Sequence, residues 1–455
     1  MRRRVLVVTL DTIGDRMAGP AIRAWEIAQA LAAEHDVRLV TFGACTRSDG
    51  RVSLGQVTVD GFRAEVERVD VVVVQGFVFA TFPWLQTCEQ VLVVDLYDPF
   101  QIETLEVDRF KPRAERQHAL RTALAELAAQ LRRGDLFLCA SARQRDLWIG
   151  HLTAAGRVNP DTYDADPNLS RLLTVVPFGM PAEPPRQATR AIKGAVDGIG
   201  PDDVVLLWGG GVYNWFDPIT LVRAVDRLRH EIPTLRLYFL GMRHPNPDVP
   251  EMAVAARTRR LAEELHLVGS HVFFNEEWVP YERRADFLLD ADIGVSCHFD
   301  HVETEFSFRT RILDYLWAGL PIVSTRGDSF AAMVEREGLG RTVPAADVEA
   351  LVDALRDLIT RPDELASARA AVRRVAPSLT WPEVLAPVLE FCREPRRAAD
   401  AEHLPPIATP ERPSLAGRVI SDVRAVGHHL RAGGPRQLLA KVRWRLASNA
   451  SRRRG

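Results

Sequence analysis

Short runs of β-branched and other apolar residues alternate with longer stretches of helical periodicity from the first residues onward. "VLVVTL" (5–10) precedes "AIRAWEIAQALAAE" (21–34), in which Ile22, Trp25, Ile27, Ala28 and Leu31 fall mainly on one helical face. The alternation continues through "VRLVTF" (37–42), "VDVVVVQGF" (69–77), "QVLVVDLYD" (90–98), a helix over 112–132, "DLFLCAS" (135–141) and "RLLTVVPFGMP" (171–181). After a Pro-, Gly- and Arg-containing stretch at 182–203 it restarts. Strands are predicted at 204–211, 235–241, 271–279, 291–297 and 321–325, and helices at 217–231, 251–267, 281–290 and from about 308. Strands alternating with helices predict parallel, doubly wound sheets, so the expected class is α/β with two similar halves. Such sheets bind ligands beyond their strand carboxyl ends, which here means a cleft between the halves. The expected organisation is an N-terminal domain at 1–185, a second at 200–380, a crossover helix at 381–395 and a flexible linker at 396–413. Residues 414–455 are expected to form a basic amphipathic tail.

Length agrees: 455 residues exceed what one hydrophobic core usually spans. An apolar content of 47% and a net charge of −2 describe a soluble globular protein. Charge is unevenly placed. From Arg412 onward eleven cations face the single acid Asp422, a net of +10, which leaves −12 on residues 1–411. Valines and leucines at helical spacing among those arginines suit an anionic membrane surface, with docking on an acidic partner as the other reading. An acidic body without a reading motif argues against nucleic acid. The five cysteines (Cys45, Cys88, Cys139, Cys297, Cys392) are scattered and form no CxxC pair. That predicts reduced thiols, a cytoplasmic location and no structural zinc. The opening apolar run ends at Asp11 with no small-residue cleavage site behind it, so it reads as a buried strand and not a signal peptide.

Three stretches carry candidate chemistry. "LLWGGGVYNWFDPITL" sets Gly209, Gly210 and Gly211 between a strand and a helix, where absent Cβ atoms and free N–H groups admit an anion. Asn214 and Asp217 follow as donor contacts, with Tyr213 and Trp215 as stacking surfaces; a tight turn is the competing reading. "RMAGPAIRAWEIAQAL" places Gly19 and Pro20 at a helix start near Ala21 in the first half, an acceptor-side loop addressing the opposite side of the cleft, with a tight turn again the competing reading. In "SFRTRILDYLWAGLPIVSTRGD", Ser307 is the expected N-cap, with Arg309 and Arg311 in the first turns. A helix's positive end disfavours cations there, so either a bound diphosphate draws them or Glu303, Glu305 or Asp314 pairs them. "DAD" (290–292) resembles a metal-binding motif but ends a helix, which predicts capping and no metal.

The succession "DLFLCAS…LLTVVPFGMP…LLWGGG…LRLYFLG…ADIGVSC…LDYLWAGLPIVSTRGD" resembles the large bacterial GT-B glycosyltransferases of family 4 type, over roughly residues 1–393. The resemblance implies two Rossmann-like domains, the second holding the nucleotide and the first the acceptor. It also implies a retaining, metal-independent transfer from a nucleoside-diphosphate sugar, with that sugar a co-substrate and no cofactor. The family's motif is two glutamates separated by seven residues. Asp314 stands at the later position, which contacts ribose hydroxyls. Glu305 is nearest the earlier one, beside the donor sugar, but one residue too far upstream, with Glu303 a rival. The family's Arg and Lys near the glycine loop are absent, and Arg309 and Arg311 are the natural substitutes. Asp98, at the end of "VVDLYD" with Asp95 and Tyr97, occupies the place of a polar residue touching sugar or acceptor. The implied acceptor is a glycan, a lipid-linked molecule or a natural product. A nucleotide-sugar 2-epimerase of similar fold and a non-catalytic nucleotide-sugar-binding or partner-docking subunit are the alternatives.

Overall fold

The structure, a computed structural model, describes residues 2–242 and 252–404. It contains two parallel sheets. The first comprises β1 (Arg4–Thr9), β2 (Asp36–Thr41), β3 (Ser53–Gln56), β4 (Val71–Gln75), β5 (Val91–Asp95), β6 (Leu136–Cys139) and β7 (Leu173–Val175), in the order β3-β2-β1-β4-β5-β6-β7. The second comprises β8 (Val204–Trp208), β9 (Leu235–Phe239), β10 (Val272–Phe274), β11 (Ile293–Ser296), β12 (Ile322–Thr325) and β13 (Gly340–Val343), in the order β10-β9-β8-β11-β12-β13. The valine-rich inner strands are buried along their length, as strands covered on both faces require. Strand order reverses between β1 and β4 and again between β8 and β11, where Val5 pairs with Val71 and Ile293 with Leu206. A doubly wound sheet opens a crevice at such a switch point. The glycine loop lies at the second one.

Five helices position the cleft. α1 (Gly19–Ala32) starts two residues earlier than its periodicity suggests, and α2 (Phe100–Val107) follows β5. α3 (Ala142–Ala154) belongs to the first half, while α4 (Val302–Phe306) and α5 (Arg311–Ala318) follow β11 in the second. The expected Ser307 N-cap is corrected here. Ser307 closes α4, its Oγ bonding Thr304 O at 3.1 Å, and α5 begins only at Arg311. The exposed edge strand β3, "SLGQ", lacks an apolar alternation and gave no strand signal.

α6 (Trp381–Arg393) packs against α1. Gly179 makes room for its start: a Cβ there would lie 2.7 Å from Trp381 N. Past α6 the first residues of the expected flexible linker are anchored instead. Arg397 pairs with Asp135 at 2.9 Å, and Asp400 takes a two-pronged bond from the buried Arg157 at 2.8 and 2.9 Å. Residues 405–413 and the basic tail at 414–455 lie outside the described residues. The "DAD" carboxylates hold the inter-sheet connection: Asp290 accepts from Ala191 N and Ile192 N, and Asp292 from Val205 N and Lys193. Among the described residues no helix is long and apolar enough to cross a membrane, and no group of three or more His, Cys, Asp or Glu is arranged to hold a metal ion.

Candidate active site

At the β8–β11 switch the chain turns through Gly209, Gly210 and Gly211. Gly210 takes φ +75° and has open space where a Cβ would stand. Tyr315 of α5 fixes this turn from below. Its hydroxyl accepts from Gly209 N at 2.8 Å and faces Leu207 O and Val295 O at 2.9 and 2.8 Å, tying α5 to β8 and β11.

That attachment places Arg311 beside the loop. Its guanidinium donates to Gly211 O at 2.8 Å and stacks 3.9 Å from the Phe216 ring centroid and 4.5 Å from that of Trp208. Arg311 is 7% exposed, forms no ion pair among the described residues, and leaves one terminal nitrogen without a hydrogen-bond partner. Burial, with the repulsion of Arg309, brings it down to about 10, so it remains a cation at neutral pH. An uncompensated buried charge is costly, and an anionic ligand would relieve it.

Arg309 is different. Glu303 grips it in a two-pronged pair at 3.0 and 2.7 Å, so its charge is internally balanced, which is the pairing alternative of the two readings. Glu303 and Glu305 are also sorted. Glu303 is 4% exposed and faces the first half's carboxyls. Glu305, the expected sugar-facing acid, has a side chain 51% exposed and reaches Arg143 at 2.9 Å. Alternate residues of a short helix point to different sides, so the sequence could not separate the two.

From the first half, the turn after β5 brings Asp98 and, one helical turn on, Glu103 of α2. Their carboxyls are hydrogen-bonded to each other opposite Glu303. Burial, with the nearby Glu303 charge, raises Asp98 to about 6. It raises Glu103 well above the usual carboxylate range, despite Arg309. The pair therefore retains a proton near neutrality. Asp98 was expected here; Glu103 was not, because nothing in "FQIETLEV" distinguishes it from a solvated helix acid. Asp95 does not face the cleft: it is clasped by Arg23 of α1 at 2.6 and 2.9 Å in full burial.

The remaining candidates have structural partners. Asp217 caps the helix Pro218–Leu228, both oxygens engaging Thr220. Asn214 bridges the halves, donating to Glu106 O and Val107 O and accepting from Val254 N. Trp215 is core, with Tyr213 stacked on it at 4.8 Å. Tyr213 is near enough to both Glu103 and Arg311 to feel their charges. Gly19 opens α1 without a side-chain cap, and Pro20 O accepts from Gln75, which anchors that loop to β4. Asp314 bonds Arg284 at 3.1 Å.

Several contacts close the cleft. Gln144 of α3 donates to both Tyr97 O and Phe306 O at 2.8 Å, and Tyr281 N and Trp278 Nε1 donate to Asp15 O and Met17 O. Where the halves meet, the second side thus carries a buried cation that forms no ion pair among the described residues, and the first a hydrogen-bonded acid pair.

Residues 203–361 match the family described as glycosyl transferases group 1, a span that includes the glycine loop, α4, α5 and β13. Over 236 residues the chain is 28% identical to a D-inositol 3-phosphate glycosyltransferase of Saccharomonospora viridis. That alignment covers 51% of this chain and 52% of the relative, so the match spans about half the length of each. Sucrose-phosphate synthase from Thermosynechococcus elongatus superposes with a TM-score of 0.63 at 14% identity, over 86% of this chain and 99% of that one. HepE of Anabaena, in complex with UDP and glucose, gives 0.61 at 14% identity, over 86% and 99%. At these identities the likeness is one of fold. The fold is GT-B, two parallel-sheet Rossmann-like domains facing a cleft.

Proposed function

We propose, for a chain of GT-B architecture that carries a glycosyl transferases group 1 domain, that it transfers a sugar with retention from a nucleoside diphosphate to a hydroxyl acceptor. The observation that carries the donor site is Arg311, a buried cation without a counter-ion among the described residues, beside a glycine turn at the sheet's switch point. A diphosphate seated there would complete the guanidinium's hydrogen bonding, and as the leaving group its developing charge would be stabilised by the same group. The reading assigns that positive charge to Arg311 and so makes the transfer metal-independent. Glu303 stands beside the donor sugar with Arg309 as its fixed counter-ion. Asp314 receives the ribose, and the Asp98–Glu103 pair faces the sugar or acceptor from the first half. Support for this class of donor comes from the related folds, one of which was solved with UDP and glucose. The acceptor is a glycan, a lipid-linked molecule or a natural product, and the basic tail would hold the enzyme on an anionic membrane face.

Arg311→Met tests the donor site. Removing an uncompensated buried charge with a chain of similar length is expected to leave the ligand-free melting temperature unchanged or higher. The thermal shift given by UDP, GDP or ADP, whichever stabilises the wild type, is expected to vanish, a loss of about 2–5 kcal/mol in binding. An undiminished shift in the variant would overturn the assignment.

A further inference from the structure

The cluster around Asp314 does more than satisfy a carboxylate. Arg284, at the start of the helix Arg284–Leu288, is 9% exposed, with its guanidinium against two rings, 3.8 Å from the centroid of Tyr281 and 4.5 Å from that of Trp317. One terminal nitrogen donates to Tyr281 O at 2.7 Å, and Nε donates to Asp314 Oδ1 at 3.1 Å. Two ring contacts and a backbone bond restrict how this planar group can turn. The other carboxylate oxygen of Asp314 has no hydrogen-bond partner among the described residues, and the side chain is 34% exposed. The clamp is also connected across the cleft. Tyr281 donates its hydroxyl to Glu26 of α1 at 3.0 Å and its backbone N–H to Asp15 O at 2.8 Å.

We infer that Arg284 is a positioning residue that sets sugar specificity within the nucleotide. It holds one oxygen of Asp314 so that the other is presented to a vicinal diol, and thereby makes the site select ribonucleotides over deoxyribonucleotides. The inference rests on the nucleotide-donor reading above. An aspartate reaches one methylene less far than a glutamate, so the direction in which its free oxygen points decides whether it meets a ribose. Arg284 constrains that direction. Through Tyr281 the clamp is also tied to α1 of the first half.

The test compares UDP, GDP and ADP with their 2′-deoxy and 3′-deoxy counterparts by isothermal titration on wild type, Arg284→Lys, Asp314→Asn and the double variant. Wild type is expected to prefer the ribonucleotide by about ten- to a hundred-fold, the size of a hydrogen bond to a charged group. Arg284→Lys keeps a cation but loses the planar fork, so its preference is expected to fall to within about three-fold, with affinity for the deoxy form unchanged. Asp314→Asn is expected to lose the preference similarly, and the double variant to lose nothing further, as coupled residues do. A purely structural Arg284 would weaken both nucleotide forms alike, and that result, or a retained preference, overturns the role of Arg284 alone. A wild type that binds ribo and deoxy forms equally overturns it too. A wild type that binds none of the nucleotides overturns the donor reading and this inference with it.

Discussion

Asp98 and Glu103 show how far a side chain's chemistry depends on neighbours that the sequence does not place. Each alone is an ordinary acid, but in the cleft they share a hydrogen bond opposite Glu303, and burial lifts both. The consequence for stability has a definite sign. A carboxyl whose folded pKa exceeds its unfolded one stabilises the fold fully at pH values below the unfolded pKa. That contribution is lost as pH rises through the folded value, here about 6 for Asp98. Asp98→Asn removes the charge that burial penalises and still offers a donor to Glu103. It is expected to melt higher than wild type at pH 8 and to lose most of that advantage at pH 4, which differential scanning fluorimetry over that range would read. A gap between variant and wild type that did not change with pH would rule out the retained proton. The same dependence on neighbours explains what was legible. The two arginines of "SFRTR" signalled a conflict with the local helix field, and both are indeed buried. Which of them Glu303 neutralises is set by α4, a five-residue helix too short to announce itself by periodicity.

At the scale of elements, strands and long helices were readable because burial on both faces imposes runs of valine and leucine, and one-sided packing imposes a 3.6-residue period. β3 and α4 were not, since a polar edge strand and a single helical turn have neither signature. The start of α5 was misplaced by the same cause, because Ser307 has the right chemistry for a cap but serves the end of α4. What fixes α5 is Tyr315, whose hydroxyl joins three backbone groups of β8, β11 and the glycine loop. Gly294 makes room for that ring: a Cβ there would stand 2.3 Å from it. Tyr315→Phe would leave the Gly209 N–H buried and unpaired, at a cost of about 1–3 kcal/mol. The loop and Arg311 share this attachment, so the variant is expected to show a lower urea midpoint and weaker nucleotide binding together. A variant that lost stability but bound UDP or its counterpart at wild-type strength would show that the loop holds its shape without Tyr315.

At the scale of the whole molecule, the division of labour follows the ends of the strands. Carboxyl ends meet at the cleft, where the glycine loop, Arg311 and the Asp98–Glu103 pair collect. The amino ends of the first sheet are held by the returning chain. Arg157 is fully buried and bonds Leu131 O, Gly134 O and both oxygens of Asp400, so its charge depends on a residue 243 positions away. Proline and alanine around Asp400 read as a linker because the residue that binds it lies in the first half, and long-range pairing leaves no local trace. Asp400→Ala would strand that cation in the interior, which costs about 3–5 kcal/mol when one partner of a buried pair is removed. The cleft lies at the other end of the sheet, so nucleotide affinity below the transition is expected to match wild type while calorimetry shows an earlier unfolding of the first half. If Asp400→Ala instead left the melting profile intact, the returning segment would be a passenger and the first sheet self-sufficient. If affinity fell along with the melting temperature, the two ends of that sheet would be mechanically coupled, and closure of the cleft would depend on how the chain returns.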